Sequence, residues 1–193
     1  MGLLLVVAGV PGTGKTSVAR ELASLTGFPL VELGSYAVEK GLVAGFDAET
    51  GSYVIDEDAL SREVSALAES VEGRLIVSTH YPEILEPDVV EKVFVLRAHP
   101  LVLAERLESR GWGRRKINEN VMAEILGVVS YNAVEAFGEG KVYEVDTSNA
   151  SPGEVARLIV GVLEGRVNLA PGIRIDWLPI LPPEVLSRFD NYE

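Results

Sequence analysis

An α/β fold with a parallel sheet is what the sequence predicts, and three observations predict it. Five short apolar runs of strand length recur at 3–8, 28–33, 74–80, 92–96 and 141–146. Stretches with apolar residues at helical spacing separate them, as in the stripe Leu60, Val64, Leu67, Ala68 and Val71. The run at 74–80 is apolar enough to be covered on both faces, as strands of a parallel sheet are.

The first strand, Leu3-Leu4-Leu5-Val6-Val7-Ala8, runs straight into Gly9-Val10-Pro11-Gly12-Thr13-Gly14-Lys15-Thr16 and then into a helical stretch from Ser17. This is the G-x-x-x-x-G-K-[ST] phosphate loop in its required context of strand before and helix after, and it marks a P-loop NTPase fold. A chain that wraps a polyphosphate turns its N–H groups inward, which glycine permits by tolerating φ > 0 and close approach. Gly12, Thr13, Gly14 and Ser17 therefore belong to the expected nucleotide site. Lys15 reaches the β- and γ-phosphates of ATP, Thr16 offers its hydroxyl to Mg²⁺, and the following helix aims its positive end at the anion.

The first helix ends near Thr26-Gly27, and a second strand follows at 28–33 with Gly34-Ser35 as turn and possible N-cap. A short helical piece, Tyr36 to Lys40, stops at Gly41. Small-molecule P-loop kinases hold the phosphate acceptor in this region, where Lys40 is the one nearby cation; an exposed lysine at a helix end also simply complements the helix dipole. Residues 45–52 have turn composition. Asp56-Glu57-Asp58 then open a helix to about residue 72, either as cap and first-turn charge or as part of the acceptor pocket.

The strand at 74–80 ends beside the phosphate loop, where P-loop enzymes place an aspartate near Mg²⁺; this chain has Ser78 and His80 there. Two roles are open to His80: orienting water or the γ-phosphate, or making an ordinary hydrogen bond at a strand end. After the fourth strand come Arg97 and a helix over 101–109 started by Pro100 and closed by Gly111. Arg106 and Arg110, four apart on one face, begin a basic cluster that continues through Arg114, Arg115 and Lys116. It is either a solvated surface paired with Glu105 and Glu108 or a lid over ATP that stabilises the transferring phosphoryl group. A long helix is expected over 118–137 and a fifth strand over 141–146. The loop 146–149, with Thr147, either lodges adenine or caps the last helix, which Ser151-Pro152 start.

The phosphate loop, Asp56-Glu57-Asp58, Val95-Leu96-Arg97, and Glu105-Arg106-Leu107-Glu108-Ser109-Arg110-Gly111-Trp112, followed by Lys116-Ile117-Asn118-Glu119-Asn120-Val121 and Glu124-Ile125, together resemble the atypical adenylate kinases of the isoenzyme-six type. The similarity covers about residues 3–165. It implies a nucleoside monophosphate kinase fold, a three-layer α/β/α arrangement on a five-stranded parallel sheet, in a domain over 1–165. A short lid would occupy about 110–118 and the acceptor region 34–55, with a C-terminal docking tail over 166–193. The resemblance further implies adenylate kinase and ATPase activities, ATP and AMP as ligands, a part in small-ribosomal-subunit maturation, and a basic ribosomal protein as partner. Two positions depart from the family: Ser78 stands where it has the aspartate of Asp-x-His, and Val38 stands where some members have arginine.

Composition sets the remaining expectations. With 193 residues, 47% hydrophobic and 24% charged, the chain suits one folded domain. The apolar start lacks a basic leader and is too short to span a bilayer, so it reads as a buried strand and no membrane association is expected. The absence of cysteine rules out disulfides and thiolate metal sites and fits a reducing cytoplasm. A net charge of −12 repels nucleic acid and suits a basic protein partner instead. The protein is expected to be a monomer. Beyond Gly165, four prolines punctuate an apolar stretch that should dock on its own body or on another protein.

Overall fold

Successive side chains of a strand point to opposite faces, and in β1 (Leu3–Ala8) both sets are apolar, so the strand builds two cores at once. In the computed structural model, which describes residues 2–47 and 52–190, Leu4, Val6 and Ala8 join one buried layer while Leu5 and Val7 join the other. Beside β1 lie β2 (Leu30–Glu32), β5 (Arg74–Thr79), β6 (Val90–Arg97) and β7 (Val142–Asp146), in the order β2-β5-β1-β6-β7 with every pairing parallel. This is the expected five-stranded parallel sheet, with helices on both faces.

On one face α1 (Lys15–Thr26) and α7 (Pro152–Leu163) pack through Val18, Ala19, Leu22, Val155, Ala156 and Ile159. Gly27, in the left-handed region, ends α1, and a Ser151–Glu154 capping box starts α7. The other face is covered by α2 (Leu33–Glu39), α3 (Glu57–Ser70), α4 (Pro100–Glu108), α5 (Arg114–Ile125) and α6 (Val128–Phe137), which contribute Ala37, Leu60, Val64, Leu103, Val121 and Ala133.

Three local expectations change. Gly34 and Ser35 lie inside α2, which begins directly at the end of β2. Of the turn-like stretch, residues 48–51 lie outside the described residues; its flanks form an antiparallel pair, β3 (Val43–Asp47) and β4 (Ser52–Ile55). The helix expected over 118–137 is two helices, separated at Gly127, whose φ of +66° an L side chain rarely adopts.

The tail docks on its own body. Gly172 donates its N–H to the Val142 carbonyl at 2.8 Å, and Trp177, Leu181 and, in α8 (Pro183–Phe189), Phe189 are buried in the core of the α3–α6 face. Beneath the tail lies a charged cluster. Arg97, 1% exposed at the end of β6, binds Glu124 Oε1 at 2.8 Å and Glu144, and Glu144 Oε2 accepts the Ile175 N–H at 2.7 Å. Trp177 donates Nε1–H to Glu124 Oε1 at 2.9 Å. Burial opposes the Arg97 charge, yet the two carboxylates outweigh it and hold its pKa above the ordinary arginine value. Burial likewise pushes the Glu124 carboxyl up, with Arg97 and Trp177 opposing.

Candidate functional site

The phosphate loop turns between β1 and α1 through Gly12 at φ +96° and Gly14 at φ +97°. Gly12 is also required sterically: a Cβ there would lie 2.6 Å from Leu103 Cδ1 of α4. Thr13 is buried and donates its hydroxyl back to the Val10 carbonyl at 2.9 Å, which keeps the loop folded on itself. Lys15 donates Nζ–H to the same carbonyl at 3.1 Å. Burial, and secondarily the charge of Arg110, lower its pKa to about 8. An ammonium folded over a glycine turn at a helix N-terminus is a site for an anion of several charges. Ser17 is exposed on the first turn of α1.

The expected basic residues separate. Arg110 lines a cavity of about 220 Å³ with Gly12, Thr13, Gly14, Arg106 and Thr147. Within it Arg106 is engaged by the loop after β7, donating from Nη2 to the Thr147 carbonyl at 2.7 Å and the Ser148 carbonyl at 3.2 Å. Thr147 is itself a junction: its hydroxyl lies 2.9 Å from the Thr13 carbonyl and 3.0 Å from the Arg97 carbonyl. Arg114 is exposed at the start of α5 and lines a different cavity, with Glu108, Trp112, Ile117, Asn118 and Arg188.

Beyond the C-terminal end of β5 a second cavity of about 390 Å³ opens, lined by α2, β4, α3 and residues 79–81. His80 sits at its rim with its ring 4.0 Å from that of Tyr81. Partial desolvation of the ring, and secondarily the charge of Lys15, lower its pKa to about 4, so the ring is neutral at physiological pH. Val38, Tyr53, Ile55 and Leu60 make the wall apolar; Glu57 lines it, while Asp56 caps α3 by accepting the Ala59 N–H at 3.0 Å. Lys40 is held by Glu63 at 3.4 Å.

Thr16 brings a residue that sequence reasoning missed. Its hydroxyl donates to Glu32 Oε2 at 3.3 Å, and Glu32 Oε1 accepts from Arg20 Nη2 at 2.7 Å. The available signal was an acid at the carboxyl end of a strand, where α/β sheets gather ligand groups. The hydroxyl and carboxylate oxygens here are the donor types Mg²⁺ takes.

A family model described as "AAA domain" matches residues 5–127 of the chain. A protein of Pyrococcus abyssi named "Putative adenylate kinase" is 35% identical over 175 residues, covering 91% of each chain. One of the same name from Thermococcus kodakarensis is 38% identical over 176 residues, covering 91% of this chain and 93% of its own. The chain belongs to this family of P-loop kinases. In fold the kinase matches shikimate kinase from Acinetobacter baumannii, with TM-score 0.60 at 15% identity over 87% of this chain and 97% of that one. It also matches the tunicamycin resistance protein of Deinococcus radiodurans, with TM-score 0.58 at 20% identity over 89% and 99% of the two chains. Among the described residues of the kinase, no helix is long and apolar enough to cross a membrane.

Proposed function

We propose that this kinase is an adenylate kinase of the isoenzyme-six type that also hydrolyses ATP. The observation that carries the reading is that two ligand-sized cavities adjoin the phosphate loop: Gly12, Thr13 and Gly14 line one, and Thr79, the register partner of Ala8 just before the loop, lines the other with His80. The loop that carries Lys15 thus borders two spaces, as transfer between two bound substrates requires. ATP takes the Arg110 cavity, with its phosphates on the amides of residues 12–17 and adenine against Thr147. AMP takes the cavity beyond β5. The bond from the γ-phosphorus to the β,γ-bridging oxygen breaks as one to an AMP phosphate oxygen forms, giving two ADP. No side-chain nucleophile takes part. Lys15 and Arg110 offset the charge on the transferring group, with Arg106 holding the adenine loop and Arg114 closing the lid side. Thr16 would hold the Mg²⁺ that accompanies ATP, and the cation would supply positive charge to offset the negative charge on the transferring phosphoryl group. His80, neutral, orients the acceptor or a water by hydrogen bonding.

In the same reading the protein acts in the cytoplasm as a monomer, in small-ribosomal-subunit maturation, and its net charge of −12 suits a basic ribosomal protein.

A second reading is favoured by one observation: among the described residues neither arginine nor lysine lines the cavity beyond β5. Such a space suits an acceptor with no ionised phosphate, or water, which would make the protein an ATP-switched assembly factor or a kinase for another metabolite. Following ADP from Mg·ATP with and without AMP separates the readings. AMP-dependent ADP supports the first; equal ADP in both arms rejects it. Lys15→Ala is expected to abolish turnover in either case, and activity near that of the unmodified protein would undo the assignment of the loop.

A further inference from the structure

A P-loop site that handles Mg·ATP places a carboxylate close to the loop's Ser or Thr as well as the hydroxyl itself. At the end of β5, the strand beside β1, residues 78–80 are Ser, Thr and His. The sheet supplies an acid one strand further out. Glu32 of β2 is the register partner of Ser78, and Ser78 is the register partner of Val7. Laterally paired residues of a parallel sheet project to the same face, here the face that Val7 shares with α1. Adjacent strands lie about 4.8 Å apart, and the longer glutamate side chain spans that offset. Its carboxylate therefore reaches the first turn of α1, with Oε2 3.3 Å from Thr16 Oγ1. Arg20 fixes the other oxygen, through Nε at 3.0 Å and Nη2 at 2.7 Å, so Oε2 is the one turned to Thr16.

We propose that Glu32 replaces, from β2, the acid that Ser78 takes away from β5, and is the positioning residue for the nucleotide's divalent cation. The chemistry follows from the hydroxyl, which has one proton and two lone pairs. With its proton given to Glu32, Thr16 keeps its lone pairs for a cation, and the carboxylate adds negative charge beside it. The inference rests on the reading that the loop binds Mg·ATP.

The test uses the full chain, Mn²⁺ as probe and the non-hydrolysable β,γ-imido analogue of ATP. Bound Mn²⁺ is read by electron paramagnetic resonance, and analogue affinity is measured separately in EDTA. Glu32→Gln is expected to weaken Mn²⁺ binding in the ternary complex about 10- to 100-fold, as loss of a ligand-orienting partner does. Affinity for the metal-free analogue should hold or improve, because a negative charge near the phosphates is gone. Adding Ser78→Asp to Glu32→Gln is expected to recover Mn²⁺ affinity. Glu32→Gln with Mn²⁺ affinity within about twofold of the parent overturns the inference alone, and so does an equal loss with and without metal. If Mn²⁺ does not enhance analogue binding to the parent protein, the Mg·ATP reading falls together with it.

Discussion

The lowered pKa of Lys15 makes nucleotide affinity a function of pH in a range where other loop lysines would be silent. Free protein holds Lys15 near 8, from burial first and Arg110 second, against the ordinary 10.5. A bound polyphosphate favours the ammonium, so the free protein must take up a proton to bind at any pH above 8. Each pH unit beyond that point costs about tenfold in affinity, or about 1.4 kcal/mol. Calorimetric titration with the β,γ-imido analogue should show constant Kd from pH 7 to 7.5 and a Kd about tenfold higher at pH 9 than at pH 7, with proton uptake visible as a buffer-dependent enthalpy. Arg110→Ala should move the break upward but not to 10.5, since burial is the larger cause. The sign for stability follows from the same shift. Between 8 and 10.5 the unfolded chain binds the extra proton, so through this group the free protein gains stability as pH rises across that window. A Kd that stays within twofold from pH 7 to 9 would refute a desolvated Lys15.

Arg97→Met leaves Glu124 and Glu144 buried without their cation; a loss of about 3–5 kcal/mol is expected, or about 6–20 °C in Tm for a chain of this size, read by thermal unfolding. Phe189→Ala, at a side chain 0% exposed, is expected to cost about 3–5 kcal/mol in urea unfolding, and an effect under 1 kcal/mol would show that the tail does not dock as described. Gly12→Ala sets a Cβ against Leu103 at a φ of +96°; about 1–3 kcal/mol of strain and loss of nucleotide binding should follow, measured by thermal unfolding and titration.

The parts legible in the sequence are those where residue type dictates backbone geometry. The glycine spacing around Lys15 and the apolar runs of the five sheet strands belong here, as do the cap at Asp56 and Pro100 and Pro152 at helix starts. The antiparallel pairing of β3 and β4 was not legible, because β3 buries neither face and carries no alternating pattern to distinguish it from a loop. The break at Gly127 was hidden by apolar residues that keep helical spacing through Val121, Ile125, Val128 and Val129. Neither Glu32 nor the separation of Arg114 from Arg110 could be read locally. The first depends on strand register between β2 and β5, the second on where α5 begins relative to α4, and both are properties of packing.

The same distinction explains why the tail matters to the nucleotide side. Arg97 works from both its ends. Its guanidinium collects Glu124, Glu144, Ser130 and the Ile175 carbonyl of the tail, while its own carbonyl accepts the Thr147 N–H at 2.8 Å. The Thr147 hydroxyl then reaches the Thr13 carbonyl in the phosphate loop. A buried ion cluster is a poor source of net stability, because desolvation offsets most of its Coulomb gain, but losing one member leaves another buried charge uncompensated, so its members are held together. At Arg97 the cluster ties the paired ends of β6 and β7 together beside the loop 146–149, and it closes only with the tail in place, since Glu144 is satisfied in part by the Ile175 N–H and Glu124 by the Trp177 indole. Residues 166–190 are therefore part of the scaffold that positions Thr147, and through it the wall of the Arg110 cavity and the Thr13 carbonyl of the phosphate loop.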